Sequence, residues 1–107
     1  MSNHIGPCRA VQQAQVDKVG KTLGVKLPAC STIRKTEDGG VTAVQTAFNG
    51  NIKIVEVNGK GTMFFSSYCS DEGQLLGCKE VDHVQYGTVS PAKLAAARKL
   101  ILDPQKK

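Results

Sequence analysis

Apolar positions in the first part of the chain recur at helical spacing. Val16, Val19 and Leu23 lie three and four residues apart, Cys8 projects onto the same side, and Gln, Asp and Lys occupy the remainder. This pattern predicts an amphipathic helix over residues 10–24. Gly20 inside it lowers its stability, and Gly24 followed by Pro28 supplies a stop. The character of the chain then changes. Segments 30–36, 41–48, 51–57 and 60–69 are rich in Val, Ile, Thr and aromatic residues and read as strands. Between them stand Asp38-Gly39-Gly40, Asn49-Gly50 and Asn58-Gly59, residues that tolerate the positive φ of hairpin turns.

Residues 79–86 alternate loosely and are a candidate fifth strand. A closing helix is better marked: Ser90 can cap it, Pro91 suits its first position, and Leu94, Ala97 and Ile101 form a stripe. Arg98 and Lys99 sit where the helix dipole favours cations, and Pro104 ends the segment. The expected fold class is α+β: an N-terminal amphipathic helix, an antiparallel four-stranded β-meander open to a fifth strand, and a C-terminal helix. Residues 1–107 are expected to form one domain, as the length allows a single modest core.

Turn chemistry also predicts which residues face the core. With Asn-Gly at the centre of two-residue turns, Ile52 and Ile54 fall on the same face as Ala47, Met63 and Phe65, and that face meets the helices. Thr42, Val44, Lys53, Val55, Thr62 and Phe64 then form a mixed opposite face, expected to be covered by a further element, with a binding surface as the alternative.

Composition narrows the class further. Apolar residues make up 40%, there is no Trp, and only three Phe and two Tyr are present, so the core must be aliphatic. Charges of both signs are interspersed, unlike those of a disordered chain. Lys and Arg exceed Asp and Glu by 14 to 9, a net charge of +5, with Lys99, Lys106 and Lys107 clustered near the C-terminus. That balance favours acidic partners, whether an acidic protein face, nucleic acid or lipid headgroups, although a basic solvated surface needs no partner at all. No run approaches the roughly 18–20 apolar residues of a membrane span. The N-terminus lacks the charged start and apolar stretch of a signal peptide, so an exported protein would be present here as a mature or truncated form.

Cys8, Cys30, Cys69 and Cys78 form an even set in a short chain, the pattern of a secreted or periplasmic disulfide framework. Cys69 and Cys78 bracket the polar loop Ser70–Gly77 and are expected to pair first, which leaves Cys8 with Cys30. A helix from residue 8 to 24 rises ~24 Å, while six residues back reach at most ~21 Å. The second bridge therefore requires residues 25–29 to run back along the helix nearly extended, or the helix to begin after Cys8. The alternative is four free thiols in an intracellular protein. Zinc is disfavoured because the closest pair is nine positions apart rather than C-x-x-C, and no metal or other cofactor is expected.

No nucleophile elbow, phosphate loop or dinucleotide fingerprint is present. His4 and His83 are the only histidines. His83 is the one weak catalytic candidate, as an acid–base group in phosphodiester cleavage, against the plainer role of a surface or hydrogen-bonded residue. Lys53, Lys60, Phe64 and Tyr68 are candidates for a basic, aromatic platform for single-stranded nucleic acid, against ordinary packing of the two rings. Leu75 and Leu76 are apolar residues in a loop, and they either tuck into the domain, the simpler outcome, or stand out as a recognition element. The order helix, meander, late cysteine loop resembles the head of a pilin shorn of the apolar half of its helix. No residue motif accompanies that order, and the closing helix departs from it.

Three functional readings follow. The leading one is a small, disulfide-stabilised extracytoplasmic binding module, of recognition or inhibitor type, whose partner is another protein with an acidic face. The second is a basic nucleic-acid-binding or RNA-cleaving toxin-like domain. The third is an intracellular assembly or regulatory protein with free thiols, associating through an unprotected edge strand.

Overall fold

The computed structural model describes residues 8–101; His4, Pro104, Lys106 and Lys107 lie outside the described residues. Helix α1 spans Ala10–Leu23, strands β1 to β4 span Thr32–Lys35, Val41–Thr46, Ile52–Val57 and Thr62–Tyr68, a short helix α2 spans Asp71–Leu75, β5 spans Val81–Thr88 and α3 spans Pro91–Leu100. The strands form one antiparallel sheet in the order β1-β2-β3-β4-β5. The fold is thus α+β as the residue pattern predicts, and the loosely alternating segment does pair as a fifth strand.

Helix α1 begins two residues after Cys8, which resolves the geometric conflict over the Cys8–Cys30 bridge: the Cα atoms stand 5.9 Å apart. Two consecutive helical glutamines hold the returning chain beside it. Cys30 N donates to Gln13 Oε1 at 2.7 Å, and Gln12 Nε2 donates to Cys30 O at 2.8 Å. Gly20 has a use that the helical pattern does not reveal. It is buried, and a Cβ there would lie 2.9 Å from Val25 O, so its missing side chain lets the return segment lie against the helix. The second bridge joins Cys69 to Cys78 with Cα atoms 6.1 Å apart. All four cysteines are bridged, which removes the free-thiol reading.

The three hairpins share one turn design. Thr36 N donates to Gly40 O, Ala47 N to Asn51 O and Asn58 N to Thr62 O at 2.9–3.0 Å, leaving three-residue loops 37–39, 48–50 and 59–61. In each, the last residue is a glycine at positive φ: Gly39 at 91°, Gly50 at 89° and Gly61 at 88°. These glycines stand eleven residues apart. A three-residue loop closed by a left-handed residue is a recognised hairpin connection, and only glycine adopts that backbone without cost. Around the first turn, Asp38 accepts from the Thr36 hydroxyl and from Gly59 N at 3.0 Å. These donors hold its carboxyl below the usual carboxylate range and tie the β1–β2 turn to the β3–β4 turn.

One extra residue per turn reverses the expected faces. The register pairs Val44 with Ile54, Val55 with Phe65 and Val57 with Met63, so Met63 and Phe65 share a face with Val55 and Lys53, not with Ile52 and Ile54. A one-residue slip transfers every side chain to the other side of a sheet. The helix side buries Ile33, Val41, Ala43, Val55, Val57 and Met63 against Val16, Val19 and Leu23 of α1 and Leu94, Ala97 and Ile101 of α3. Each fully buried aliphatic side chain contributes roughly 1.5–3 kcal/mol relative to exposure. The opposite face carries Thr42, Val44, Ile52, Ile54, Glu56 and Phe64. Among the described residues it holds no buried apolar side chain, so the cover expected for that face is not found.

The closing helix is capped as the pattern predicts. Ser90 Oγ accepts from Lys93 N at 3.2 Å, and Pro91 occupies the first turn. Arg98 near its end donates to Gly39 O at 3.1 Å, joining α3 to the first turn.

Because a Cβ at Gly39 would meet only Arg98 Nη1, at an ordinary contact distance of 3.7 Å, Gly39→Ala reports mainly the backbone cost and should destabilise the fold by about 1–2 kcal/mol. Gly61→Ala should cost more, since a Cβ there would lie 2.3 Å from Val89 O. Urea denaturation midpoints of the two variants check the order.

Candidate functional site

The helices do not cover the whole of their side of the sheet. Beyond them, a groove crosses the sheet from α2 to the start of α3. At the α2 end a hollow of about 600 Å³ has Gln45, Lys53, Phe65, Ser67 and Val81 as its floor and Leu76 to Lys79 as a wall. A second hollow of about 600 Å³ shares Gln45, Lys53, Phe65 and Val81 with the first, and is walled by Lys26 to Ala29 on one side and Val84 and Tyr86 on the other. The groove continues past Lys26 and Tyr86 to Lys93 through about 390 Å³ more.

Each wall has a local cause. Residues 25–29 are held in place by Gln45, whose Nε2 donates to Ala29 O at 2.9 Å, together with the Cys8–Cys30 bridge. The β5 wall depends on an irregular strand. Phe65 pairs with Val84 and Ser67 with Val81, so one extra residue is inserted opposite Ser66. His83 at φ 52° lies in that insertion, and His83 N donates to Ser66 Oγ at 3.1 Å. The bulge brings Val81 and Val84, which plain alternation would place on opposite faces, onto the groove side. Tyr86 closes the wall edge-on to Phe65, with ring centroids 6.4 Å apart. Desolvation there pushes its hydroxyl above the ordinary tyrosine range, so it remains a protonated donor.

The α2 wall is fixed at three points. Ser70 Oγ accepts from Gly73 N at 2.9 Å, Asn51 Oδ1 accepts from Ser70 N at 3.0 Å, and the Cys69–Cys78 bridge closes the loop. Leu75 is 88% exposed and Leu76 67%, which corrects the simpler expectation that both tuck inside. Phe48, 72% exposed in the adjoining β2–β3 turn, adds a ring that no strand pattern singles out.

The charge along the groove is one-sided. Lys26, Lys53, Lys79 and Lys93 line it, and among the described residues no Asp or Glu does. Of these only Lys53 stands out in the residue pattern. The others come from the α1–β1 connection, the cysteine loop and α3, and only the fold brings them together.

The proposed aromatic platform is divided. Lys53 lies on the groove side, while Phe64 and Tyr68 lie on the opposite face, paired with Glu56 and Ile52. Lys60 is in the turn before β4, at the far end of that strand from Tyr68. His83 and Phe64 instead form a small cluster on the opposite face. Their rings stack with centroids 4.1 Å apart and planes 6° from parallel, and His83 Nε2 donates to Glu56 Oε1 at 3.1 Å. A carboxylate only accepts, so in the neutral imidazole Nδ1 is the free acceptor. Beside it, Tyr68 OH donates to Asp82 Oδ1 at 3.3 Å.

The chain matches no known protein family, and neither a curated protein nor a solved structure matches it. Among the described residues, no helix is long and apolar enough to cross a membrane. The chain is a small α+β fold stapled by two disulfides.

Replacing both Cys69 and Cys78 by Ser should cost about 2.6 kcal/mol by loop entropy and leave the rest of the fold standing. Denaturant midpoints measure the loss, and limited proteolysis should cut first between residues 70 and 77.

Proposed function

We propose that the chain is a disulfide-stabilised extracytoplasmic module that recognises another protein, taking an acidic and apolar segment of that partner into the lysine-lined groove. The observation that carries this reading is a row of four lysines, with no Asp or Glu among the described lining residues, beside the apolar stretch of Leu27, Val55, Phe65 and Val84. Lysine stems cover apolar surface while their ammonium heads remain in water, so the groove offers aliphatic contact to alternate side chains and charge to the others. Aliphatic walls such as Leu27, Val55, Val81 and Val84 favour a peptide over stacked bases. Two bridges in so short a chain support an oxidising compartment.

An ¹⁵N-labelled sample titrated with an extended peptide of alternating Glu and Leu should show shifts at Lys53, Val81 and Tyr86, weakening with salt. Lys53→Glu should reduce affinity about tenfold, or 1.4 kcal/mol. Equal binding of a Lys-Leu peptide would sink this reading.

The Glu56–His83 contact favours a second reading, RNA cleavage on the opposite face, with the pair as acid–base groups. Cleavage of a single-stranded RNA by the wild type, abolished in both Glu56→Gln and His83→Ala, is the expected result. Cleavage retained in either variant would remove the pair from that role.

A further inference from the structure

The groove calls for a segment that is acidic and apolar together, and the fold displays one. Helix α2 carries Asp71 and Glu72 in its first turn and ends at Leu75, followed by Leu76. Residues three and four apart share a helix face, so Glu72 lies on the same side as Leu75 and Leu76, and Asp71 on the same side as Leu75. Both leucines project into solvent from a loop held rigid by the Cys69–Cys78 bridge and by Asn51, so little ordering entropy opposes docking. An exposed leucine pair so firmly held is a docking element more than a by-product of folding.

We infer that the groove is filled by α2 of a second copy of this chain, in a reciprocal two-fold dimer. The inference rests on the groove reading above and names its partner. Charge complementarity carries it: Asp71 and Glu72 of one copy meet Lys26 and Lys53 of the other, while Leu75 and Leu76 meet Leu27, Val84 and Tyr86. Reciprocity follows from position. Leu76 stands on the wall of the groove itself, so knob and hole belong to one surface. A surface holding both can pair with itself about a two-fold axis and close, whereas a knob and a hole on distant surfaces would generate an open chain. Each dimer then makes the contact twice.

The test is sedimentation equilibrium of the full chain from 5 μM to 1 mM with charge-reversed variants. The wild type should reach twice the monomer mass in that range. Lys26→Glu/Lys53→Glu sets acid against acid, Asp71→Lys/Glu72→Lys sets base against base, and each alone should remain monomeric. An equimolar mixture restores opposite charges at both contacts and should dimerise as the wild type does. That recovery also establishes that both variants are folded. A wild type monomeric at 1 mM, variants that dimerise unaided, or a mixture that remains monomeric would each overturn the inference, as would a mass that climbs past the dimer. The Glu-Leu peptide separates this inference from the groove reading. If the wild type is monomeric but Lys53-dependent peptide binding persists, only the second copy is wrong; if both fail, the groove reading falls too.

Discussion

The register of the meander is the constraint from which the rest of the molecule follows. Three loops of three residues, each closed by a glycine at positive φ, determine which side chains of β1 to β4 face the helices. Had the loops held two residues, as the Asn-Gly pairs suggest, Ile52 and Ile54 would lie beneath α1 and α3. In the observed register they face away, and the smaller Val41, Ala43, Val55 and Val57 form the floor of the core. Small floor residues let α1 and α3 pack closely over one half of the sheet.

What the two helices leave uncovered becomes the groove. A sheet of five strands is wider than two helices can roof, and the uncovered part lies over the end of β2 and over β3 to β5. Both disulfides sit at its borders. One holds the chain that returns from α1, and the other holds α2 over the end of β4. The bridges therefore do more than restrict the unfolded chain: they add a covalent tie at two walls of the groove. The bulge at His83 completes the third wall. Its left-handed backbone, uncommon for a residue with a side chain, is compensated by the Ser66 hydroxyl and by stacking on Phe64.

The two faces of the sheet differ in chemistry for the same reason. On the groove side every charged liner among the described residues is a lysine, whereas the opposite face sets Glu56 and Asp82 beside His83 and Tyr68. A basic net charge read from composition is silent on this division. The groove concentrates positive charge where apolar surface is also open, and such a combination selects for amphipathic anionic partners more than the overall +5 does.

Much of the fold was legible in the residues themselves. The helix period of Val16, Val19 and Leu23, the Ser90-Pro91 start of α3, the strand segments and the Cys69–Cys78 pairing are local or nearly local signals, and local signals survive folding; the Cys8–Cys30 pairing followed from them by elimination. Face, groove and charge pattern were not legible, because each depends on distances that local chemistry does not set. Asn49-Gly50 announces a turn but not whether it contains two residues or three, and that single residue decides which side of the sheet Lys53 and Phe65 occupy. Leu75 and Leu76 read as buried by their chemistry, but the bridge and the Asn51 hydrogen bonds hold them outward. Lys26, Lys79 and Lys93 are unremarkable apart, and they become a row only when the return of the chain, the cysteine loop and the start of α3 meet along one edge of the core. The sequence by itself determined which elements form and in what order; the tertiary structure decided which surfaces they leave open, since that depends on how five strands exceed the cover of two helices.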